Sequence, residues 1–224
     1  MTRKKQNQQK RKQSIRPQRK KLKAKTENQE DYIAAMAECD VTFCSGPAGS
    51  GKTAVAVGLA CEYILENKIE KIIITRPVVE AGRGLGHLPG TLTEKVSPYL
   101  VPILEEMKLY LGMDTFNSMR ATNAIELCPL EYMRGRNFHN AFMILDEAQN
   151  ATFEQIKMFL TRIGLGSKAV VNGDLDQTDL RGEAGGLYDC MDALTDLDGV
   201  AICRLTDDDI VRNGIISKIL GRLR

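Results

Sequence analysis

The stretch from Gly46 to Thr53 constrains this chain more than any other, because it reads G-x-x-x-x-G-K-T, the pattern of a Walker A loop. Glycines let the backbone turn tightly enough to direct several N–H groups at one anion, and the following helix adds the positive end of its dipole. An apolar run at 41–44 precedes the motif, and an apolar pattern with helical spacing follows it. This order of strand, loop and helix predicts a nucleotide-binding loop. The alternative is a structural glycine turn.

Each residue of the predicted loop has an expected contact. Lys52 is expected to reach the outer phosphates of a bound nucleotide, and the hydroxyl of Thr53 is expected to hold Mg²⁺. The residues assigned to nucleotide binding are Gly46, Pro47, Ala48, Gly49, Ser50, Gly51, Lys52 and Thr53.

A second signature follows the apolar residues 143–145, where Asp146 and Glu147 stand together. Open α/β sheets bind ligands at the C-terminal ends of their strands, so both carboxylates are expected beside the phosphate loop. We predict that Asp146 holds the Mg²⁺ shell through water, and that Glu147 orients and deprotonates the attacking water in phosphoryl transfer. The alternative for this pair is a solvated acidic helix cap.

A third polar segment, Gly173 to Gln177, also follows an apolar strand. An uncharged amide at this position can hydrogen-bond the transferred phosphate or the attacking water. Gln177 is therefore a candidate γ-phosphate sensor, although the segment by itself could form an ordinary turn.

The alternation of strand and helix patterns predicts an α/β fold, a three-layer sandwich with a mainly parallel sheet of the P-loop NTPase (RecA-like) type. Thr26 is predicted to cap a helix over 27–38. The helix that ends near residue 111 is expected to start late or to be kinked, because Pro98 and Pro102 interrupt it. Thr206 is predicted to begin an amphipathic helix near the C-terminus.

The first 25 residues hold twelve of the chain's 31 Lys and Arg residues and none of its 29 acidic residues. A block of like charge this dense predicts a disordered basic tail over 1–25, followed by one domain over 26–224. The basic residues alternate with Gln, Asn and Ser and have no apolar face, which favours nucleic acid over a membrane as the partner. The alternative is an inert, solubilising tail.

Six cysteines lie mostly inside apolar runs and form no C-x-x-C pair, which favours buried reduced thiols over disulfides or zinc ligands. No apolar run approaches the ~18 residues of a membrane-spanning helix, and the basic N-terminus lacks the apolar segment of a secretory signal. We therefore expect a cytoplasmic protein.

The three polar segments, in this order and spacing, resemble the PhoH family of P-loop ATPases, whose core is similar to the first motor domain of superfamily-one helicases. The resemblance runs from about residue 29 to residue 219. Further motifs that resemble the family are Thr75-Arg76-Pro77, Glu80-Ala81-Gly82, Leu88-Pro89-Gly90, Met133 to Arg136, Ile144 to Asn150, Phe159 to Gly164 and Val211-Arg212.

The resemblance implies ATP and Mg²⁺ as ligands and an ATP-dependent activity. It also implies that Gln29 reads adenine with two hydrogen bonds, for which the alternative is an exposed helix glutamine. Two positions depart from the family, since Arg83 replaces an acidic residue and His87 an aromatic one, so roles in this glycine-rich segment are not transferred. His139 precedes a buried strand and is expected to be structural.

A single motor-like domain lacks the second domain from which helicases supply a charge-stabilising arginine. A neighbouring subunit is the simplest source, so we predict a ring, for example a hexamer, or another head-to-tail homo-oligomer. The leading candidate arginines are Arg181 and Arg212, followed by Arg134, Arg136 and Arg162. Any of them could instead form an ordinary structural ion pair.

Two functional hypotheses follow from these features. The first is an ATPase that acts on RNA or single-stranded DNA, held by the basic tail and a groove in the core. The second is an ATP-gated oligomeric binding or assembly module with little turnover. A small-molecule kinase is a weaker third hypothesis, because no substrate lid or acceptor pocket is recognisable.

Overall fold

A six-stranded sheet forms the centre of the fold. The computed structural model describes residues 19–77, 92–177 and 185–210, and residue 222. The strands are β1 (Val41–Ser45), β2 (Lys71–Thr75), β3 (Ile125–Leu127), β4 (Ala141–Leu145), β5 (Lys168–Gly173) and β6 (Val200–Arg204). Their order is β3-β2-β4-β5-β1-β6, and each neighbouring pair is parallel. The strand that leads into the phosphate loop therefore lies inside the sheet.

Helices connect the parallel strands. In the described part of the chain they are α1 (Glu27–Glu38), α2 (Lys52–Leu65), α3 (Leu92–Leu111), α4 (Met113–Ala121), α5 (Phe153–Leu160) and α6 (Gly186–Ala193). Short 3-10 turns occupy Leu130–Met133, Ala148–Asn150 and Asp207–Asp209. Among these helices, none combines the length and hydropathy needed to span a bilayer.

Strand β4 shows how the sheet separates two layers of helices. All of its residues are buried. Phe142 and Ile144 pack in the cluster formed with α1 to α4, whereas Met143 and Leu145 pack in the cluster formed with α5 and α6. Successive side chains of a strand point to opposite faces, so a continuous apolar run is what a doubly covered sheet requires. The predicted three-layer α/β sandwich is confirmed.

Helix α3 is longer than the sequence predicted. It begins at Leu92 and continues through both Pro98 and Pro102, so the expected late start is wrong. The buried residues of its inner face include Leu100, Ile103, Met107 and Leu111. Burial of this apolar stripe offsets the backbone hydrogen bonds that the prolines remove. The predicted cap of α1 is confirmed, because the Thr26 hydroxyl accepts a hydrogen bond from the Gln29 N–H.

Several positions that the sequence singled out lie outside the described residues. They are Arg83, His87, Arg181, Arg212, the motifs at 80–82 and 88–90, and the C-terminal helical pattern beyond residue 210.

The fold includes residues that the sequence analysis assigned to the basic tail. Lys20 donates its backbone N–H to the carbonyl of Leu109 at 2.9 Å. Leu22 is partly buried and packs against the core cluster of α1 to α4. Residues of the predicted tail therefore pack on the fold, because Leu22 supplies an apolar anchor that the charge pattern concealed.

All six cysteines lie among the described residues and carry free thiols. Cys44, Cys61, Cys128 and Cys190 are buried, as the apolar runs around them predicted. Burial raises the pKa of Cys61 to about 12, so this thiol stays protonated at neutral pH.

Asp209 ties the end of the described chain to the start of α1. Its buried carboxylate accepts hydrogen bonds from the Thr26 hydroxyl at 2.5 Å, the Asn28 amide at 2.9 Å and the Thr206 backbone N–H at 2.7 Å. Burial by itself raises the pKa of Asp209, but these hydrogen bonds to the charged form outweigh it, and the net shift is downward.

We expect the replacement Asp209→Asn to lower the free energy of unfolding by about 1–3 kcal/mol at pH 7, because the amide turns an N–H group toward existing donors. The folded pKa lies below the unfolded value, so this contribution is complete above about pH 4 and is lost as the pH falls through the folded pKa. Urea unfolding of both proteins at pH 7 and pH 3 should show the difference shrinking in acid. The exposed neighbour Asp208→Asn is the matched control. An equal difference at both pH values would contradict the assignment.

Candidate functional site

The predicted phosphate loop joins the C-terminal end of β1 to the first turn of α2. Gly51 stands at the N-cap of α2 with φ 96°, a backbone conformation that side-chain-bearing residues rarely adopt. A Cβ atom there would also lie 2.8 Å from Nε2 of Gln29. The second glycine of the motif is therefore required both by its backbone angle and by the space around it.

Lys52 lies at the centre of this loop. Its ammonium donates to the backbone carbonyls of Gly46 and, at 3.0 Å, of Pro47. Ser50 closes the turn by donating its hydroxyl to the same Pro47 carbonyl at 2.8 Å. The loop thus curves around the lysine charge, and the ammonium is held where an anion at the start of α2 would meet it.

Thr53 and Asp146 meet across the gap between the loop and the end of β4. The Thr53 hydroxyl donates to Oδ1 of Asp146 at 2.7 Å. Asp146 is only 4% exposed. Burial raises the pKa of Asp146 to about 6, against the lowering effect of the Thr53 hydrogen bond, and the charge of Glu147 raises it further. A buried carboxylate with a hydroxyl beside it is an all-oxygen donor pair of the kind that Mg²⁺ binds, so these two residues fit that ion.

Glu147 adopts a left-handed backbone conformation, with φ 56° and ψ 40°. A non-glycine residue reaches this region at some cost, and such residues are concentrated at functional sites. Its carboxylate is held from two sides, by Nη2 of Arg76 at 3.5 Å and by Nε2 of Gln149 at 2.6 Å. Glu147 is therefore an oriented, half-buried carboxylate that lines the cavity, which is unlike the solvated helix cap considered as the alternative.

Gln149 is a site residue that the sequence analysis did not single out. While its Nε2 donates to Glu147, its Oε1 accepts the backbone N–H of Asp174 at 3.1 Å. One amide thus connects the acidic pair after β4 with the segment after β5. Its position three residues after Asp146 was the available signal, but no spacing rule predicts a bridge between two strand ends.

The predicted site residues line one cavity of about 500 Å³. Its lining includes Lys52, Thr53, Asp146, Glu147 and Gln177. A cavity of this size is typical of small-ligand sites, and its position at the C-terminal ends of parallel strands is where such sheets bind ligands. The structure therefore brings together all three polar segments.

Gln29 lies beneath the phosphate loop and is only 3% exposed, so the alternative of an exposed helix glutamine is wrong. Its Nε2 donates to the Ser50 carbonyl at 2.8 Å, and its Oε1 accepts the Lys25 backbone N–H at 3.0 Å. Both ends of the amide are engaged by the backbone. The reading of adenine by Gln29 stays a prediction.

Two of the candidate arginines are structural. Arg136 forms a bidentate ion pair with Glu126 at 2.6 and 3.1 Å and stacks on the Phe138 ring at 4.5 Å. Arg162 donates to the backbone carbonyls of Met158 and Arg136 at 3.2 and 3.3 Å. Both guanidinium groups thus make contacts within the chain, as the alternative of a structural role expected.

Two other residues that the sequence singled out, Arg134 and His139, lie away from the cavity lining. Arg134 is exposed. The ring of His139 accepts the Leu165 backbone N–H at 3.0 Å, as expected for a structural histidine.

Across the described ranges, no group of three or more His, Cys, Asp or Glu side chains is arranged to hold a metal ion by itself. A metal at this site would therefore depend on the Thr53 and Asp146 pair together with the ligand's own oxygens.

Comparisons with known proteins place the chain in a family. The family described as PhoH-like protein matches residues 21–223. The PhoH-like protein of Bacillus subtilis is 46% identical over 202 residues, which cover 90% of this chain and 63% of that relative. The protein PhoH of Escherichia coli strain K12 is 39% identical over 200 residues, which cover 88% of this chain and 56% of that relative. The chain thus spans about six-tenths of the length of these relatives.

Solved structures agree on the fold. The large terminase from a thermophilic bacteriophage has a TM-score of 0.53 at 11% identity, covering 89% of this chain and 50% of that one. The UvsW helicase from bacteriophage T4 has a TM-score of 0.51 at 14% identity, covering 89% of this chain and 67% of that one. At such identities the likeness concerns the fold alone, and it agrees with the predicted α/β fold around a parallel sheet. With a family match across residues 21–223 and the three polar segments around one cavity, this chain belongs to the PhoH-like protein family.

Proposed function

We propose that this protein is an ATPase that hydrolyses ATP with Mg²⁺ and couples hydrolysis to RNA or single-stranded DNA. The observation that carries the proposal is the convergence of Lys52, Thr53, Asp146, Glu147 and Gln177 on one cavity at the end of a parallel sheet. A lysine in a glycine loop, a buried acid beside a hydroxyl and a second oriented acid are the parts that phosphoryl transfer to water requires.

Each part has one task in this proposal. The loop N–H groups and Lys52 bind the phosphates and compensate the charge that develops on them. Thr53 and Asp146 would hold Mg²⁺, and the bound ion would neutralise phosphate charge. Glu147 accepts a proton from the attacking water, and Gln177 hydrogen-bonds the terminal phosphate or that water. Arg76 and Gln149 fix the direction of the Glu147 carboxylate.

Nucleic acid is the partner that the charge distribution favours. The first 25 residues carry twelve basic and no acidic side chains, which suits a polyanion. Two fold neighbours are named as a helicase and a large terminase, and a coupling to nucleic acid agrees with those names. Binding through phosphate contacts should tolerate many sequences and weaken steeply as salt rises.

The direct test is the steady-state ATPase rate with and without single-stranded RNA and DNA, together with binding of each at 50 and 200 mM salt. We expect nucleic acid to stimulate hydrolysis, and we expect affinity to fall by about 10²-fold or more over this range, as it does when several phosphates are contacted. Double-stranded DNA is the control polymer. Binding that ignores salt, or hydrolysis that ignores nucleic acid, would contradict the proposed coupling.

The alternative function is an ATP-gated oligomer with little turnover. It draws on the prediction that a neighbouring subunit completes the site with Arg181 or Arg212. Sedimentation with a non-hydrolysable ATP analogue separates the candidates. Analogue-driven assembly with an unstimulated rate supports the alternative, whereas a monomer that hydrolyses ATP at normal speed would exclude the proposed ring.

A further inference from the structure

The N-terminal segment, residues 19–25, lies against helices α2 and α3 beside the cavity. Lys20 donates its backbone N–H to the Leu109 carbonyl of α3 at 2.9 Å. Two residues later, the Leu22 N–H donates to Oε1 of Glu62 on α2 at 3.0 Å. The segment is thus held by backbone groups to both helices, which fixes its path independently of its basic side chains.

Leu22 packs on α2 at a point where that helix has no side chain. Gly58 is buried in the middle of α2, where glycine costs about 1 kcal/mol relative to alanine in helix propensity. A Cβ atom at Gly58 would lie 2.8 Å from Cδ1 of Leu22 and 2.9 Å from the ring of Tyr110. The glycine therefore leaves the space in which Leu22 and Tyr110 meet the helix.

Tyr110 and Glu106 of α3 complete this contact. The Lys20 ammonium bonds to the Glu106 carboxylate and lies 4.7 Å from the centre of the Tyr110 ring. Tyr110 is 4% exposed, so the ring forms part of a packed surface. A hydrophobic anchor with a charged pair at its edge holds the segment in one place.

The C-terminal end of the segment is connected to the phosphate loop. The Lys25 N–H donates to the Gln29 amide oxygen at 3.0 Å, and the Gln29 amide nitrogen donates to the Ser50 carbonyl at 2.8 Å. Gln29 thus bonds both the end of the segment and the loop, whereas Leu22 is held separately, by Glu62 and the space over Gly58.

The cavity of about 500 Å³ extends from the acidic pair, past the phosphate loop, to this segment. Its lining includes Asp146, which the loop reaches through Thr53, and Lys25 with Leu22, which the loop reaches through Gln29. The acidic pair and the segment therefore lie on different sides of the loop. A triphosphate that presents its terminal phosphate to the acidic pair directs its nucleoside toward Leu22 and Tyr110, because the loop binds the phosphates between them. At that end Leu22 offers an apolar contact beside the ammonium groups of Lys23 and Lys25, which suits a flat base that carries a phosphate chain.

We propose that the N-terminal segment is a binding element of the nucleotide site, forming the wall that contacts the base and sugar of the bound nucleotide through Leu22. The inference rests on the proposed function, because it assumes that the phosphates occupy the glycine loop. It assigns to the last residues of the predicted basic tail a direct part in nucleotide affinity. Docking of the segment and binding of the nucleoside then favour each other.

The test compares two ligands that share phosphates and differ in the nucleoside. Equilibrium binding of ATP and of inorganic triphosphate, each with Mg²⁺, is measured for the full chain and for Leu22→Asp, which places a charge in the apolar contact. We expect ATP affinity to fall about tenfold or more, the effect of losing one good base contact. Affinity for inorganic triphosphate should stay unchanged. Leu165→Asp is the matched control, because it is the same substitution at a leucine that is 82% exposed and lies outside the segment.

A second variant tests the same contact in case Leu22→Asp does not fold. Gly58→Ala raises the helix propensity of α2 but places its methyl group where Leu22 and Tyr110 lie. It should therefore lower the affinity for ATP and leave the affinity for inorganic triphosphate unchanged, as Leu22→Asp does. The helical circular dichroism signal should stay intact.

The possible binding results have different consequences for the proposed wall. Loss of ATP affinity alone in either folded variant supports the wall. Unchanged ATP affinity in both variants, or equal loss for both ligands, would overturn it, because the segment would then act elsewhere or only through the loop. If the unaltered protein binds neither ligand, the proposed function fails, and the inference fails with it.

Discussion

Replacing Glu147 by Gln should lower the rate of ATP hydrolysis by about 10²- to 10⁴-fold while ATP and Mg²⁺ still bind. The amide keeps the size and shape of the carboxylate but cannot accept a proton from water. Its oxygen can still accept the hydrogen bond that Gln149 donates at 2.6 Å, so the connection to the segment after β5 is retained. Single-turnover hydrolysis and equilibrium binding of ATP, measured side by side, separate the two effects.

The fold should tolerate this change. The ion pair between Glu147 and Arg76 is long, at 3.5 Å, and both side chains are partly exposed. Such pairs contribute less than about 1 kcal/mol, so the unfolding midpoint should hardly move. Glu154→Gln is the matched control, because that side chain on α5 is 78% exposed. Normal turnover by the Glu147→Gln variant would exclude Glu147 as the general base and leave the site without a proton acceptor among the residues assigned.

The second large effect is expected at Lys52. Replacement by Ala should weaken binding of ATP by about 10²-fold or more, since a charge-assisted bond to phosphate contributes about 1.5–3 kcal/mol and several phosphate oxygens share this ammonium. The same loss should appear with inorganic triphosphate, because the lysine acts on phosphate whatever the nucleoside. Isothermal titration with both ligands measures it.

The contacts of Lys52 indicate how the Lys52→Ala variant should affect stability. The Lys52 ammonium bonds only backbone carbonyls among its described contacts, those of Gly46 and Pro47, and water can replace it there. The global stability should therefore change little. Lys157→Ala is the control, because the Lys157 side chain on α5 is 61% exposed. Undiminished binding of both ligands by the Lys52→Ala variant would mean that the glycine loop is a structural turn, the alternative considered at the outset.

Local sequence patterns were sufficient to predict which segments of the chain form the site. The glycine spacing around Lys52 and the apolar runs before Asp146 and Gly173 are short-range features, and the geometry of parallel strands converts them into a common edge. The fold class followed for the same reason, because a fully apolar strand such as β4 is stable only between two layers of helices. The loop and strand that lead to the site were therefore predictable residue by residue.

Contacts between distant segments were not predictable in this way. Gln149 was not singled out in the sequence, yet it bridges Glu147 to the backbone of Asp174, 25 positions away. For Arg136 and Arg162 the sequence left open both a role at a neighbouring subunit's site and an ordinary structural contact, and the structure shows Glu126 and backbone carbonyls bonding them. The partners of a side chain depend on which strand ends and helix faces become neighbours in the fold. This arrangement could not be predicted from a single sequence.

The sequence by itself therefore determined the chemistry available, namely a glycine loop with its lysine and hydroxyl, an acidic pair and a polar segment on a parallel sheet. Only the tertiary structure decided how these groups are held and what surrounds them. It buried Asp146 against Thr53, turned Glu147 toward Arg76 and Gln149, and placed Leu22 of the basic stretch against Gly58. The physical reason is that motif chemistry is encoded by neighbours in the chain, whereas burial, orientation and pairing arise from packing between residues far apart in it.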